Sequence, residues 1–128
     1  MKTLHLLFNH KLTSEQKADA QKYWDVGLFL PLPDNLQQLW SAVPPSLESL
    51  TDYLQPICQY LADAAKSDDL VLIQGDYGAT YHLVQFSFAQ GLLPVYSTTE
   101  RNTQEVKQPD GSIKVERTIR HKRFRLYA

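Results

Sequence analysis

Four short polar clusters carry the residue types that acid–base chemistry and anion binding need, and each lies at or just past an apolar run. The first is Asn9-His10. An imidazole titrates near neutrality and suits proton transfer, although a lone histidine in such a place more often makes an ordinary loop hydrogen bond. The second is Gln74-Gly75-Asp76-Tyr77-Gly78-Ala79-Thr80, a glycine-bearing turn that opens a helical stretch. Such a turn leaves backbone N–H groups and the positive end of the helix dipole for an anion such as phosphate. The bland alternative is a turn that lets the helix start, with Asp76 as its cap. Ser97-Thr98-Thr99-Glu100-Arg101 is the third, joining hydroxyls and a carboxylate suited to ribose with a guanidinium suited to phosphate. In the fourth, the period of two along a strand groups His121, Arg123, Arg125 and Tyr127 on one face and Lys122, Phe124 and Leu126 on the other. On spacing alone, a charged strand that protects a sheet edge explains that pattern somewhat better than a binding face.

Other chemistries find less support. The glycine turn is neither the dinucleotide fingerprint GxGxxG nor a P-loop GK[ST], so no nicotinamide or ATP cofactor is expected. His5, His10, His82 and His121 show no metal-ligand spacing, and a dedicated metal site is not expected. Cys58 sits among the apolar helical neighbours Ile57 and Leu61, which suits a buried structural thiol. His5 reads as structural and His82 as a helix-surface residue.

The 128 residues suggest one domain, 43% apolar, with no leader and no stretch long enough to span a bilayer, so a cytoplasmic protein is expected. The near-neutral total hides an uneven distribution. Residues 1–100 hold five Lys/Arg against eleven Asp/Glu, whereas residues 101–128 hold eight against three. The tail is thus basic on an acidic body, which suits equally a solvated hairpin packed on that body or a local anion site, while a total charge that is not basic disfavours a binder of long nucleic acid.

These clusters need elements to hold them. Thr3–Phe8, Gly27–Leu30, Leu70–Ile73 and Leu93–Tyr96 read as strands, the third being the unbroken aliphatic run of a strand buried on both faces. Thr13 with Gln16, and Asp34 with Gln37, have capping-box spacing, and Pro44-Pro45 stops the second helix. A longer helical stripe begins at Ser46 and runs from Leu47 to Ala65, with Pro56 expected to kink or split it. A further helix ends near Gln90, with Gly91 as left-handed terminator. A hairpin turning at Pro109–Ser112 and a final strand at His121–Tyr127 close the chain. Strands alternating with helices predict an α/β fold whose mostly parallel sheet is flanked by helices, with an antiparallel β-hairpin extension at about 102–127. In such folds ligands bind at the carboxyl ends of the strands, where three of the clusters fall.

Taken together, Leu7-Phe8-Asn9-His10-Lys11-Leu12-Thr13, the Gln74–Thr80 turn, Val95-Tyr96-Ser97-Thr98-Thr99-Glu100-Arg101 and His121-Lys122-Arg123-Phe124-Arg125 resemble a small CRISPR-associated Csx-type family of type III systems, over essentially the whole chain. The resemblance implies a Rossmann-like (CARF-like) domain over 1–128 and a ring nuclease, which removes the cyclic oligoadenylate messenger, usually cyclic tetra-adenylate, at the two-fold axis of a homodimer. It further implies metal-independent cleavage, in which a ribose 2′-hydroxyl attacks the adjacent phosphodiester and leaves a 2′,3′-cyclic phosphate. Such chemistry rests on positioning and on cations that meet the developing charge. Going beyond what the resemblance implies, His10, Glu100, Arg101 and His121 are the expected catalytic residues, with Arg101 and Arg123 neutralising phosphate and one or other histidine moving the proton. Asn9, Gln74, Gly75, Asp76, Tyr77, Gly78, Ala79, Thr80, Thr98, Thr99, Arg123 and Arg125 are the expected ligand contacts. A sensor or sponge that binds the messenger without cutting it is the nearest alternative, and a protein-interaction subunit with a basic tail is the next.

Overall fold

The computed structural model describes residues 1–128. The elements follow as β1 (Lys2–Leu7), α1 (Ser14–Trp24), β2 (Val26–Pro31), α2 (Asp34–Ser41), α3 (Thr51–Ala64), β3 (Leu70–Ile73), α4 (Tyr77–Ala89), β4 (Leu93–Lys107) and β5 (Ile113–Leu126). All five strands join one sheet in the order β2-β1-β3-β4-β5. The first four run parallel, and β4 and β5 pair antiparallel. The α/β class and the mostly parallel sheet therefore stand as the sequence predicts.

Every residue of β3 is buried, as its Leu70-Val71-Leu72-Ile73 run requires. Alternate strand residues feed two cores. Leu7, Val71 and Ile73 meet Leu36 and Trp40 of α2, Leu54, Ile57 and Leu61 of α3, and Leu83 of α4 on one face. Leu4, Leu70, Leu72, Val95 and Phe124 meet Ala20 of α1 on the other. With α1 on one side and α2–α4 on the other, chain progression reverses between β1 and β3, the place in open sheets of this kind where ligands bind at the carboxyl ends of the strands.

The Thr13 cap forms as expected, with Thr13 Oγ1 accepting from Gln16 N–H (3.2 Å) and Gln16 Oε1 accepting from Thr13 N–H (2.8 Å). The second expected box does not. Pro33 occupies the cap position of α2 without a side-chain bond, and Gln37 turns away to the Phe8 carbonyl (3.1 Å) and Ser41 (3.0 Å). The third helix begins at Thr51, not Ser46. Residues 42–50 form turns, and Leu47 is exposed, so its helical spacing buries nothing. Pro56 does not split α3, because it lies on the exposed side where the freed carbonyl of Asp52 reaches water.

The expected hairpin at 102–127 and the separate final strand are one ribbon. β4 continues unbroken from the sheet to Lys107, turns at Gln108–Ser112, and returns as β5. Gly111 takes a left-handed φ of 89°, and Asp110 accepts from the N–H and hydroxyl of Ser112. The pairing shifts where Thr98 opposes Arg123 but Thr99 opposes His121, leaving Lys122 as the extra residue of a bulge. That insertion breaks the period of two, so the expected face of His121, Arg123, Arg125 and Tyr127 does not form. His121 instead joins Phe124 on the α1 side, with ring centroids 4.6 Å apart.

Candidate functional site

The first two clusters stand at the carboxyl ends of β1 and β3. Asn9 is exposed beyond β1, and its Oδ1 accepts from the Ser41 hydroxyl (2.9 Å). His10 is exposed beside it, edge-on to Phe8, with centroids 5.4 Å apart. Both border a groove of about 610 Å³ with Lys11, Lys17, Phe29 and Gln37.

Just past β3, Gln74 is a clamp. Its N–H donates to Leu7 O (3.0 Å), its carbonyl accepts from Trp40 Nε1–H (3.1 Å), and its Oε1 accepts from Ser97 N–H (2.7 Å). Gly75 is a packing residue, because a Cβ there would meet the Trp40 indole at 2.9 Å. Asp76 caps α4, accepting from Ala79 N–H at 3.0 Å, and Ala79 is buried. Gly78 differs, for a Cβ on it would make only ordinary contact with Leu50 and Asp76. The first two amides of α4, those of Tyr77 and Gly78, have no hydrogen bond within the chain. Tyr77 and, one turn on, Tyr81 are exposed beside them. Thr80 Oγ1 is buried without a partner. The glycine turn thus divides into a structural part, Gln74–Asp76, and an open part, Tyr77–Gly78.

The other two clusters meet on the opposite face of β4. Ser97, Thr99 and Arg101 share that face by alternation, at successive spacings of about 6.8 Å. Thr98 points away, its hydroxyl donating to Arg123 O (2.9 Å) and accepting from Arg123 N–H (3.1 Å) at the bulge. Ser97 Oγ lies 2.6 Å from His121 Nδ1, and His121 Nε2 lies 2.7 Å from Asp19 Oδ2. A carboxylate only accepts, so Nε2 carries the proton, and in the neutral ring Nδ1 accepts from the Ser97 hydroxyl. Phe124 N–H also donates to Asp19 (3.1 Å), and Gln16 Nε2–H donates to Ser97 Oγ (3.3 Å). His121 is nearly buried, and both its nitrogens are engaged within the chain. Asp19 borders a separate groove at one end, while the Ser97 end opens, together with an edge of His121, into a groove of about 290 Å³ lined also by Thr13, Gln16, Thr99 and Arg120. Leu12 borders the first groove and Thr13 this one, so the two adjoin along the β1–α1 loop.

The fold does not gather all the expected residues. Glu100 is exposed, 3.7 Å from Lys122. Arg101 extends from the ribbon opposite Ile119. Arg125 lies on the other face, donating to Tyr96 Oη (2.9 Å) above its ring. Arg123 shares a separate groove with Asp19, Tyr23, Trp24 and Lys122. Asp19, Gln16 and Ser97 as a hydrogen-bonding unit were beyond sequence reasoning, because their partners lie 81 to 102 residues away. His5 and Cys58 are structural: His5 is buried 3.1 Å from Asp69, and burial pushes the Cys58 thiol up.

Uncharacterized protein MJ1673 of Methanocaldococcus jannaschii is 46% identical to this chain over 127 residues, which cover 99% of this chain and 98% of that protein. No solved structure matches. The family model described as the Uncharacterized protein MJ1673 family matches residues 2–125, and the chain belongs to that family.

Proposed function

We propose that this protein is a ring nuclease: it binds cyclic oligoadenylate, with cyclic tetra-adenylate as the first ligand to test, and opens the ring by attack of a ribose 2′-hydroxyl. In the cell this reaction switches off type III CRISPR signalling in the cytoplasm. The observation that carries the reading is the convergence of unlike groups at one end of the sheet. Past β3 the start of α4 offers two free amides beside exposed Tyr77, and past the parallel part of β4 its α1-side face offers Ser97, Thr99 and Arg101. Amides and a guanidinium suit phosphates, hydroxyls suit ribose, and exposed tyrosines give adenine a stacking surface. A cyclic tetranucleotide repeats these three needs around its ring, and the two-fold symmetry of a homodimer would present each group twice.

Calorimetric titration with cyclic tetra-adenylate, beside linear tetra-adenylate as control, tests the recognition. Saturable binding that favours the ring is expected. Absence of heat with both nucleotides would remove this reading in favour of a protein-interaction subunit.

A further inference from the structure

We infer that Ser97 is the catalytic residue that receives the proton of the attacking 2′-hydroxyl, with His121 and Asp19 acting behind it. This assignment rests on the ring-nuclease reading. Among the polar groups of the β4 face, Ser97 alone ends a hydrogen-bond chain that runs inward to a carboxylate, from Ser97 Oγ to His121 Nδ1 at 2.6 Å and from Nε2 to Asp19 Oδ2 at 2.7 Å. Phe124 N–H fixes Asp19, and the Gln16 amide donates to the Ser97 oxygen, directing its O–H toward the imidazole. His121 borders the same groove, but both its nitrogens are engaged within the chain and its ring is nearly buried, so Ser97 is the group that it presents there. The adjoining groove receives the hydroxyl end of the chain.

The step balances as follows. The 2′-oxygen bonds to phosphorus as its proton passes to Ser97 Oγ, while the Ser97 proton passes to His121 Nδ1. The P–O5′ bond breaks, the 5′-oxygen leaves with the electron pair and takes a proton from water, and the imidazolium returns its proton to solvent through Ser97. Asp19 is a positioning residue that holds the acceptor nitrogen toward Ser97. The His121 Nε2 and Phe124 N–H bonds end on the same oxygen of Asp19, so Asp19→Asn, with its amide oxygen in that place, keeps both bonds and removes the negative charge that stabilises the imidazolium.

The test is single-turnover cleavage of cyclic tetra-adenylate by the wild type and by Ser97→Ala, Ser97→Thr and Asp19→Asn, with affinity and thermal melting measured alongside. Loss of a general-base path typically costs about 10²–10⁴ in rate, so Ser97→Ala and Asp19→Asn are expected to bind and to cleave at least about 100-fold more slowly. Ser97→Thr, which keeps the hydroxyl, is expected to recover most of the rate. Should Ser97→Ala fail to fold, Asp19→Asn carries the test. Cleavage at the wild-type rate by Ser97→Ala or by Asp19→Asn, or equal loss in Ser97→Ala and Ser97→Thr, overturns the assignment and leaves the ring-nuclease reading standing. Binding without cleavage by the wild type overturns both.

Discussion

The two glycines of the turn before α4 look alike in sequence and differ in what surrounds them. At Gly75 a methyl group collides with the Trp40 indole at 2.9 Å, against buried ring atoms that also hold the Gln74 carbonyl. Gly75→Ala is therefore expected to lower stability by about 1–3 kcal/mol, the usual cost of overpacking, which denaturant melts would show as a lower midpoint. Gly78 has room, so Gly78→Val is expected to stay folded and to weaken ligand binding by obstructing approach to the free Tyr77 and Gly78 amides. Equal affinity by calorimetry would take that helix start out of the site. Arg101 shares the β4 face of Ser97 and Thr99 but has no ion-pair partner, which suits a cation reserved for a substrate. Arg101→Ala is expected to slow cleavage by about 10²-fold while changing affinity less, the pattern of a group that meets charge developed in the transition state. A loss confined to affinity would instead assign it to binding alone.

At the scale of elements, what could be read in the sequence was what is decided locally. The Leu70–Ile73 run, the Thr13/Gln16 box and Gly91 (φ 73°) each have their cause within a few residues, and each stands where the pattern places it. The bulge at Lys122 has no local mark, since it is defined only by the partner strand, and it decides that His121 faces α1 rather than sharing a face with the arginines. The helical spacing at Leu47 and Leu50 misleads for a related reason, because both lie in the loop before α3, where Leu50 packs on the core and Leu47 stays exposed. Asp69 shows a non-local tie at the other end of the strands. Burial alone would raise its carboxyl, but the amides of Lys66 and Thr3 and the His5 ring outweigh burial and hold it below the usual carboxylate value. A lowered folded value contributes stability at pH above the ordinary carboxylate range, and that contribution is lost as pH falls through the folded value. Melting temperature is thus expected to drop on acidification below about pH 4, and the Asp69→Asn variant to start lower and lose less over the same interval. Parallel acid limbs in the two proteins would show that Asp69 contributes nothing to that drop.

For the whole molecule, the division of charge is also a division of shape. The acidic residues 1–100 include the layered body, and the basic residues 101–128 form most of the ribbon, whose outer part leaves Ile113, Val115 and Ile119 exposed. A basic arm with apolar faces on an acidic body complements a second copy of itself, and a homodimer is expected by light scattering, weakened by salt where the contact is electrostatic. A monomer that processes the ligand at an undiminished rate would contradict the two-fold arrangement. The central claim is the reaction itself. Purified protein incubated with cyclic tetra-adenylate, with and without EDTA, and resolved by chromatography and mass analysis, is expected to yield linear products bearing 2′,3′-cyclic phosphate at equal rates in both conditions. Recovery of the intact ring after saturating binding would contradict the account and make the protein a sponge for the messenger.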